Sequence, residues 1–224
     1  MRGRVLSLEL EFIKRLLTWW RNEDRWNRYP WRTETDFYRS IVAEVLLIRT
    51  RRDVVTRVYP EFILRFPTPE RLAEASEDEI ADVIAPLGLR KRAKMLKRLA
   101  KELTEKLPSG PEDIEKIYGV GEYLRLILSL KLFNQGSLPV DRNVARVLWR
   151  VFRGINPSRG KPELDKEIRL LAQKLGACLP PDQRLELAYA LMDFSLEICQ
   201  PRKPICENCP VKSLCHYCSK GGEF

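Results

Sequence analysis

Histidine is nearly missing from this chain: His216 is the single one among 224 residues, and it abuts Cys215. Catalysis by a histidine base is thereby made improbable, although imidazole is the usual proton carrier near neutral pH. Long apolar runs are missing as well. Glu9, Glu11 and Lys14 interrupt the N-terminal segment, and no stretch approaches membrane-spanning length or the pattern of a cleaved leader. The expectation is a cytoplasmic protein with no membrane partner. Alternating apolar and polar runs are absent, which argues against half-buried strands. There is no low-complexity segment and no obvious repeat. Acidic residues are the minority, 31 against 40 Lys and Arg, leaving a net charge of +9. An excess of positive charge suits a polyanionic partner but does not by itself establish one.

What is present reads as helix, and the fold class expected is all-α. Leu10, Ile13, Leu17 and Trp20 recur at helical spacing. Thr68-Pro69 has the form of a cap followed by proline in the first turn. Ser76 with Glu79 has the form of a capping box, after which Ile80, Val83, Ile84 and Leu87 follow one face up to Gly88. Further apolar helices are expected through Met95, Leu96 and Leu99, through Leu126, Ile127 and Leu130, and through Val144, Val147, Leu148 and Val151. The positive charge is gathered into knots: Arg49, Arg51 and Arg52; Arg90 to Arg98; and Arg202, Lys203 and Lys212. Each is either a solvated face or a grip on phosphates.

Four cysteines carry the most specific pattern: Cys199, six residues, Cys206, two residues, Cys209, five residues, Cys215. Thiols this dense in an intracellular chain indicate a metal centre more often than disulfides. Structural zinc prefers two close pairs set apart, whereas a single tight loop around one compact cluster suits iron–sulfur ligation better. Upstream, Ile117-Tyr118-Gly119-Val120-Gly121 joins two helical segments. Glycines so spaced allow a tight hairpin and leave backbone N–H groups at the next helix start, where a phosphate binds; an ordinary helix–helix turn has the same look. Asp141 is placed to cap the following helix, and a carboxylate there also suits positive charge developing on a sugar. Glu44 has mostly apolar neighbours along its own helix, so it either reaches an edge or lines a polar pocket.

Hairpin, following aspartate and terminal four-cysteine loop occur in this order in the helix-hairpin-helix DNA glycosylases that carry a [4Fe-4S] cluster, and the chain resembles that family over almost its whole length. The resemblance implies two helical domains flanking a DNA-binding cleft: a six-helix barrel-like domain with the hairpin over 28–136, and an iron–sulfur cluster domain over 1–27 and 137–224. It implies Cys199, Cys206, Cys209 and Cys215 as cluster ligands. It makes Asp141, Glu44 and Tyr123 the catalytic set. DNA contacts are implied for Gly119, Val120, Gly121, Arg49, Arg90 and Lys203, with Leu89 as a wedge filling the space of the flipped base. The implied partner is double-stranded DNA with a mismatched or damaged base, met by a monomer at the nucleoid.

Endonuclease III-like members place a lysine nucleophile two residues after the second hairpin glycine. Tyr123 stands there and cannot form an imine, so a monofunctional glycosylase is expected. Glu44 in Ala43-Glu44-Val45-Leu46-Leu47, Arg49-Thr50, and Leu191-Met192-Asp193-Phe194-Ser195 resemble the archaeal Mig type, which removes thymine or uracil opposite guanine. The MutY type, acting on adenine opposite 8-oxoguanine, is the alternative; its members usually carry glutamines at Ile48-Arg49 and continue into a further C-terminal domain. Tyr118, Leu124, Arg125 and Arg142 depart from the family pattern, where proline or small residues are usual. They leave room for a second alternative, a noncatalytic iron–sulfur DNA-binding protein.

Overall fold

The computed structural model describes residues 2–88, 90–157 and 160–221, and among these every regular element is a helix. The chain forms two compact units, Met1–Arg25 with Asn134–Phe224, and Trp26–Phe133. In chain order, α1 (Arg2–Arg21) belongs to the first unit. The second holds α2 (Phe37–Leu47), α3 (Arg52–Arg65), α4 (Pro69–Glu74), α5 (Glu77–Val83), α6 (Arg92–Glu105), α7 (Pro111–Ile114) and α8 (Glu122–Phe133). The first resumes with α9 (Arg142–Leu148), α10 (Lys166–Ala177), α11 (Pro181–Glu197) and α12 (His216–Ser219). No described helix is long and apolar enough to cross a membrane.

In the unit Trp26–Phe133, side-chain caps set three of the helix starts. The Asp36 carboxylate accepts the Arg39 N–H at 2.8 Å and starts α2. Thr68 caps α4 ahead of Pro69, and Ser76 and Glu79 cap α5 reciprocally. The α2 residues Ile41, Val42, Ala43, Val45 and Leu46 are wholly buried, so this helix lies inside its unit. On α6, Leu96, Leu99, Ala100 and Leu103 form the buried stripe, which packs on α4 and α5. The apolar face predicted through Leu87 is real, since Ile80, Val83, Ile84 and Leu87 are all buried, but it is not one helix. After Val83 the backbone passes into a 3₁₀ turn over Ala85–Leu87, and Gly88 ends it at φ +72°. Pro86 is the reason: it has no N–H to give, and its ring disfavours helical backbone at Ala85.

The unit formed by the two chain ends is built on α1 and α11. Phe12, Ile13, Leu16, Leu17 and Trp20 are buried at three- and four-residue intervals. Phe12 meets Phe152 edge-on at 5.1 Å, and Trp19 meets Phe194 at 5.7 Å. The Trp20 indole Nε1 donates to Asp193 Oδ2 at 2.8 Å, and Asp193 has no solvent exposure. A carboxylate there needs donors to offset its lost hydration, and a charged hydrogen bond of this kind contributes roughly 1.5–3 kcal/mol. α9 continues as a π-turn over Trp149–Arg153, closed by Gly154 at φ +65°. Such a bulge rotates the side chains that follow it relative to a regular helix.

Candidate functional site

Within Trp26–Phe133 the unusual residue is Glu44. It lies midway along α2 with only 4% of its surface exposed. Burial pushes its carboxyl above the usual carboxylate range, while the positive charges of Lys131, Arg52 and Arg32 pull it back. Lys131, projecting from α8, donates its ammonium to Trp31 O at 2.5 Å, and burial lowers it to about 8. Glu44 therefore does not reach an edge. It is a desolvated acid, and because burial outweighs the nearby cations its carboxyl keeps its proton to higher pH than usual.

The end of α2 is shaped by an arginine that composition alone concealed. Arg92 Nη1 donates to Leu46 O at 2.9 Å and Thr50 Oγ1 at 3.1 Å, and its Nη2 donates to Ile48 O. A cation at these carbonyls complements the helix C-terminus. Between its staples, Arg49 is exposed and left-handed at φ +53°, a conformation costing a non-glycine residue roughly 1–2 kcal/mol. Its neighbours hold it there. The basic knot to which Arg92 belongs is thus partly internal. Lys97 donates to Ala75 O at 2.5 Å, and Arg98 lies over the Tyr118 ring at 3.7 Å. Arg90 pairs with Asp82 at 2.5 Å on the surface, where such a pair is worth little and exchanges readily. Leu89 lies outside the described residues.

The hairpin Ile117–Gly121 precedes α8. The Tyr118 N–H donates to Glu102 Oε2 at 2.8 Å, and the Val120 N–H to Ile117 O at 3.2 Å. Gly119 is left-handed at φ +78°, and a Cβ there would stand 2.4 Å from Met95 Cε. Gly121 has neither constraint: a Cβ built on it meets nothing within 4 Å. Gly119 and Gly121 are exposed with Val120 half-buried between them, and Tyr123 is half-buried in the first turn of α8.

In the other unit, Asp141 caps α9. Its Oδ1 accepts the Val144 N–H at 2.7 Å, and Asn143 Nδ2 donates to Oδ2 at 3.3 Å. Asn143 Oδ1 accepts from Arg146 Nη1 at 2.8 Å, while Arg146 Nε and Nη2 donate to Cys199 O and Ser195 O at 3.1 and 2.8 Å. One turn on, Arg150 is 1% exposed and donates to Gln200 O and Pro201 O, both at 2.7 Å, to Asn156 Oδ1 at 3.1 Å and to Cys199 Sγ at 3.5 Å. Two arginines of one helix thus grip the start of the cysteine loop. Sequence reading passed over both; the one available hint was their spacing of four on an otherwise apolar face.

Cys199, Cys206, Cys209 and Cys215 line one small cavity together with Val151, Phe194 and Val211. Cys218 lines it too. Burial pushes the Cys209 thiol up to about 12 and raises Cys199 as well, so thiolates here require a positive partner. Among the described residues no three His, Cys, Asp or Glu side chains converge closely enough to hold a single metal ion. The thiols stand instead around a space, and this donor set fits a compact cluster ligated by cysteine alone. Arg202, Lys203 and Lys212 are exposed on the same loop.

All-helical architecture, a glycine hairpin, a capping aspartate and a cysteine-lined cavity define a helix-hairpin-helix protein of the base-excision type. The chain belongs to the HhH-GPD superfamily of base excision DNA repair proteins, whose family model matches residues 42–174. It is 34% identical to a thymine-DNA glycosylase of Aeropyrum pernix over 96% of each chain. It is 33% identical to a thymine/uracil-DNA glycosylase of Pyrobaculum aerophilum over 94% of this chain and 93% of that one. Among solved structures, a thermostable thymine-DNA glycosylase superposes with a TM-score of 0.86 at 32% identity, covering 96% of this chain and 99% of that one.

Proposed function

We propose that this chain is a monofunctional DNA glycosylase that removes thymine or uracil mispaired with guanine and leaves an abasic site. The observation that carries the reading is a pair of carboxyls in contrasting surroundings. Glu44 is desolvated and driven toward its protonated form, whereas Asp141 is held by two donors at a helix head. Such contrast separates an acid from a charge stabiliser. Binding begins with Lys and Arg on phosphates and with the hairpin amides at Gly119, Val120 and Gly121. The target nucleotide rotates out of the stack, at least cost when it is mispaired. Asp141 stabilises positive charge on the deoxyribose as the glycosidic bond opens, and guides water to it. Glu44 gives its proton, or a hydrogen bond, to the leaving base. Tyr123 lines the base pocket and offers no amine for an imine. Arg49, presented on its left-handed turn, contacts the guanine left behind.

Cys199, Cys206, Cys209 and Cys215 would hold a [4Fe-4S] cluster, which when bound braces the loop carrying Arg202, Lys203 and Lys212. In the same reading the protein is a cytoplasmic monomer acting on mismatched double-stranded DNA, and its thymine-DNA glycosylase relatives support DNA as the substrate. The test is a set of labelled duplexes (T:G, U:G, A:8-oxoguanine and A:G) incubated with purified protein, then treated with alkali or not. Strand breaks at T:G and U:G that need alkali are expected. Breaks confined to A:8-oxoguanine would shift the reading to an adenine glycosylase, and release from none would leave a noncatalytic DNA-binding protein.

A further inference from the structure

Four cysteines suffice for the cluster, yet a fifth thiol stands against them. Cys218 follows Cys215 by three residues, repeating the spacing from Cys206 to Cys209. Cys215 precedes α12 and Cys218 lies within it; residues three apart share one side of a helical turn. The Cys218 side chain thus neighbours Cys215 along this turn. It lines the same cavity as the four ligands, and with Cys206 it also lines an outer cavity that opens to solvent. Cys218 therefore sits at the mouth of the cluster cavity, next to two ligands. Cys199 and Cys209, by contrast, line the inner cavity and not the outer one.

We propose that Cys218 is a reserve ligand, able to take the iron held by Cys206 or by Cys215 when either is lost. The inference rests on the cluster reading above. The exchange moves no electrons: the bond from iron to the displaced sulfur breaks and that sulfur takes up a proton, while Cys218 releases its proton and bonds the iron. A thiol that merely fills space would give no such rescue. Because Cys218 follows Cys215 by one helical turn and shares the outer cavity with Cys206, the rescue is position-specific.

The test uses the full chain purified without air, measuring iron and sulfide per protein and the visible absorbance of thiolate-bound iron, with helical circular dichroism as a check on folding. Wild type and Cys218→Ala are expected to be fully loaded. Cys206→Ala and Cys215→Ala should keep most of their iron, and each should lose nearly all of it when combined with Cys218→Ala. Cys209→Ala should lose its iron whether or not Cys218 is present. If Cys206→Ala and Cys215→Ala remain helical but are as empty as the double variants, the reserve role is overturned and the cluster reading stands. If wild type itself holds zinc, or no iron, both fall. A second measurement avoids ligand variants that fail to fold: loaded wild type and Cys218→Ala are exposed to an iron chelator in air. Faster bleaching of Cys218→Ala is expected, and equal rates would refute the proposal.

Discussion

The two hairpin glycines have different physical roles, and methylating each in turn separates folding from DNA contact. At Gly119, alanine must adopt φ +78°, which costs an L-residue roughly 1–2 kcal/mol. Its Cβ would also displace Met95 Cε from 2.4 Å; a thioether end is flexible, so this adds less than the ~1–3 kcal/mol of true overpacking. The expected loss for Gly119→Ala is therefore about 1–3 kcal/mol of stability. At Gly121 the built Cβ meets nothing. Alanine there loses up to about 1 kcal/mol as a poorer helix start and regains about 0.4–1 kcal/mol from a less flexible unfolded chain, so stability is nearly unchanged. If the amides at this helix start hold a phosphate, that methyl stands where the phosphate must come. Losing one charged hydrogen bond, about 1.5–3 kcal/mol, weakens duplex binding by roughly tenfold or more. Urea unfolding reads the first effect, and fluorescence anisotropy on a labelled duplex at fixed salt reads the second. Gly121→Ala protein that is stable and binds duplex like wild type would remove the hairpin from the interface. Gly119→Ala protein as stable as wild type would refute the strain argument.

Asp141→Asn keeps a good helix cap, so stability should change by less than about 0.5 kcal/mol and duplex binding should persist, while single-turnover base release falls by at least about 10²–10³; unchanged release would exclude Asp141 from the chemistry. For Glu44, the raised carboxyl means that the folded chain keeps its proton longer than the unfolded chain does. Its contribution to stability is present below the ordinary carboxylate range of about 4 and is lost as pH rises toward the folded value. Glu44→Gln should remove that pH dependence from thermal unfolding profiles. It should also slow base release by about 10²–10⁴ and erase the fall in rate with rising pH that is expected of wild type. Arg150→Met leaves Gln200 O, Pro201 O and Asn156 Oδ1 without their donor. A loss of about 3–5 kcal/mol is expected in urea unfolding, with cluster shed during gel filtration; a loss under about 1 kcal/mol with full iron content would contradict the clamp.

Whatever depends on near neighbours in sequence was legible. Thr68, Ser76 and Asp141 cap as predicted because a cap needs only its own side chain and the N–H two or three residues on. The cysteine spacing likewise depends on one loop closing on itself. Pro86 is the readable signal that the apolar face through Leu87 is not a single helix. The buried arginines were not readable. Arg92 satisfies a carbonyl 46 residues away and Arg150 one 51 residues away. Composition counts each as surface charge, and only the folded chain shows that their partners are loop carbonyls. Glu44 lies between these cases: its apolar neighbours announced a tension that the charge of Lys131, from a helix far along the chain, only partly offsets.

The arginine clamp also explains why Asp141 and the cysteine loop depend on one short helix. α9 starts at the residue capped by Asp141 and ends in a π-turn that carries Arg150. Arg146 meets Asn143, the partner of Asp141, and also meets Ser195 O and Cys199 O. Unfolding the cysteine loop would therefore take the Gln200 and Pro201 carbonyls from Arg150 and that of Cys199 from Arg146. Leaving one buried charge unpaired costs about 3–5 kcal/mol, comparable with the whole stability of many domains. α9 cannot keep its place at that cost, and Asp141 moves with it. A cluster that never changes its oxidation state would still decide whether Asp141 is in position, because the coupling runs through hydrogen bonds and packing.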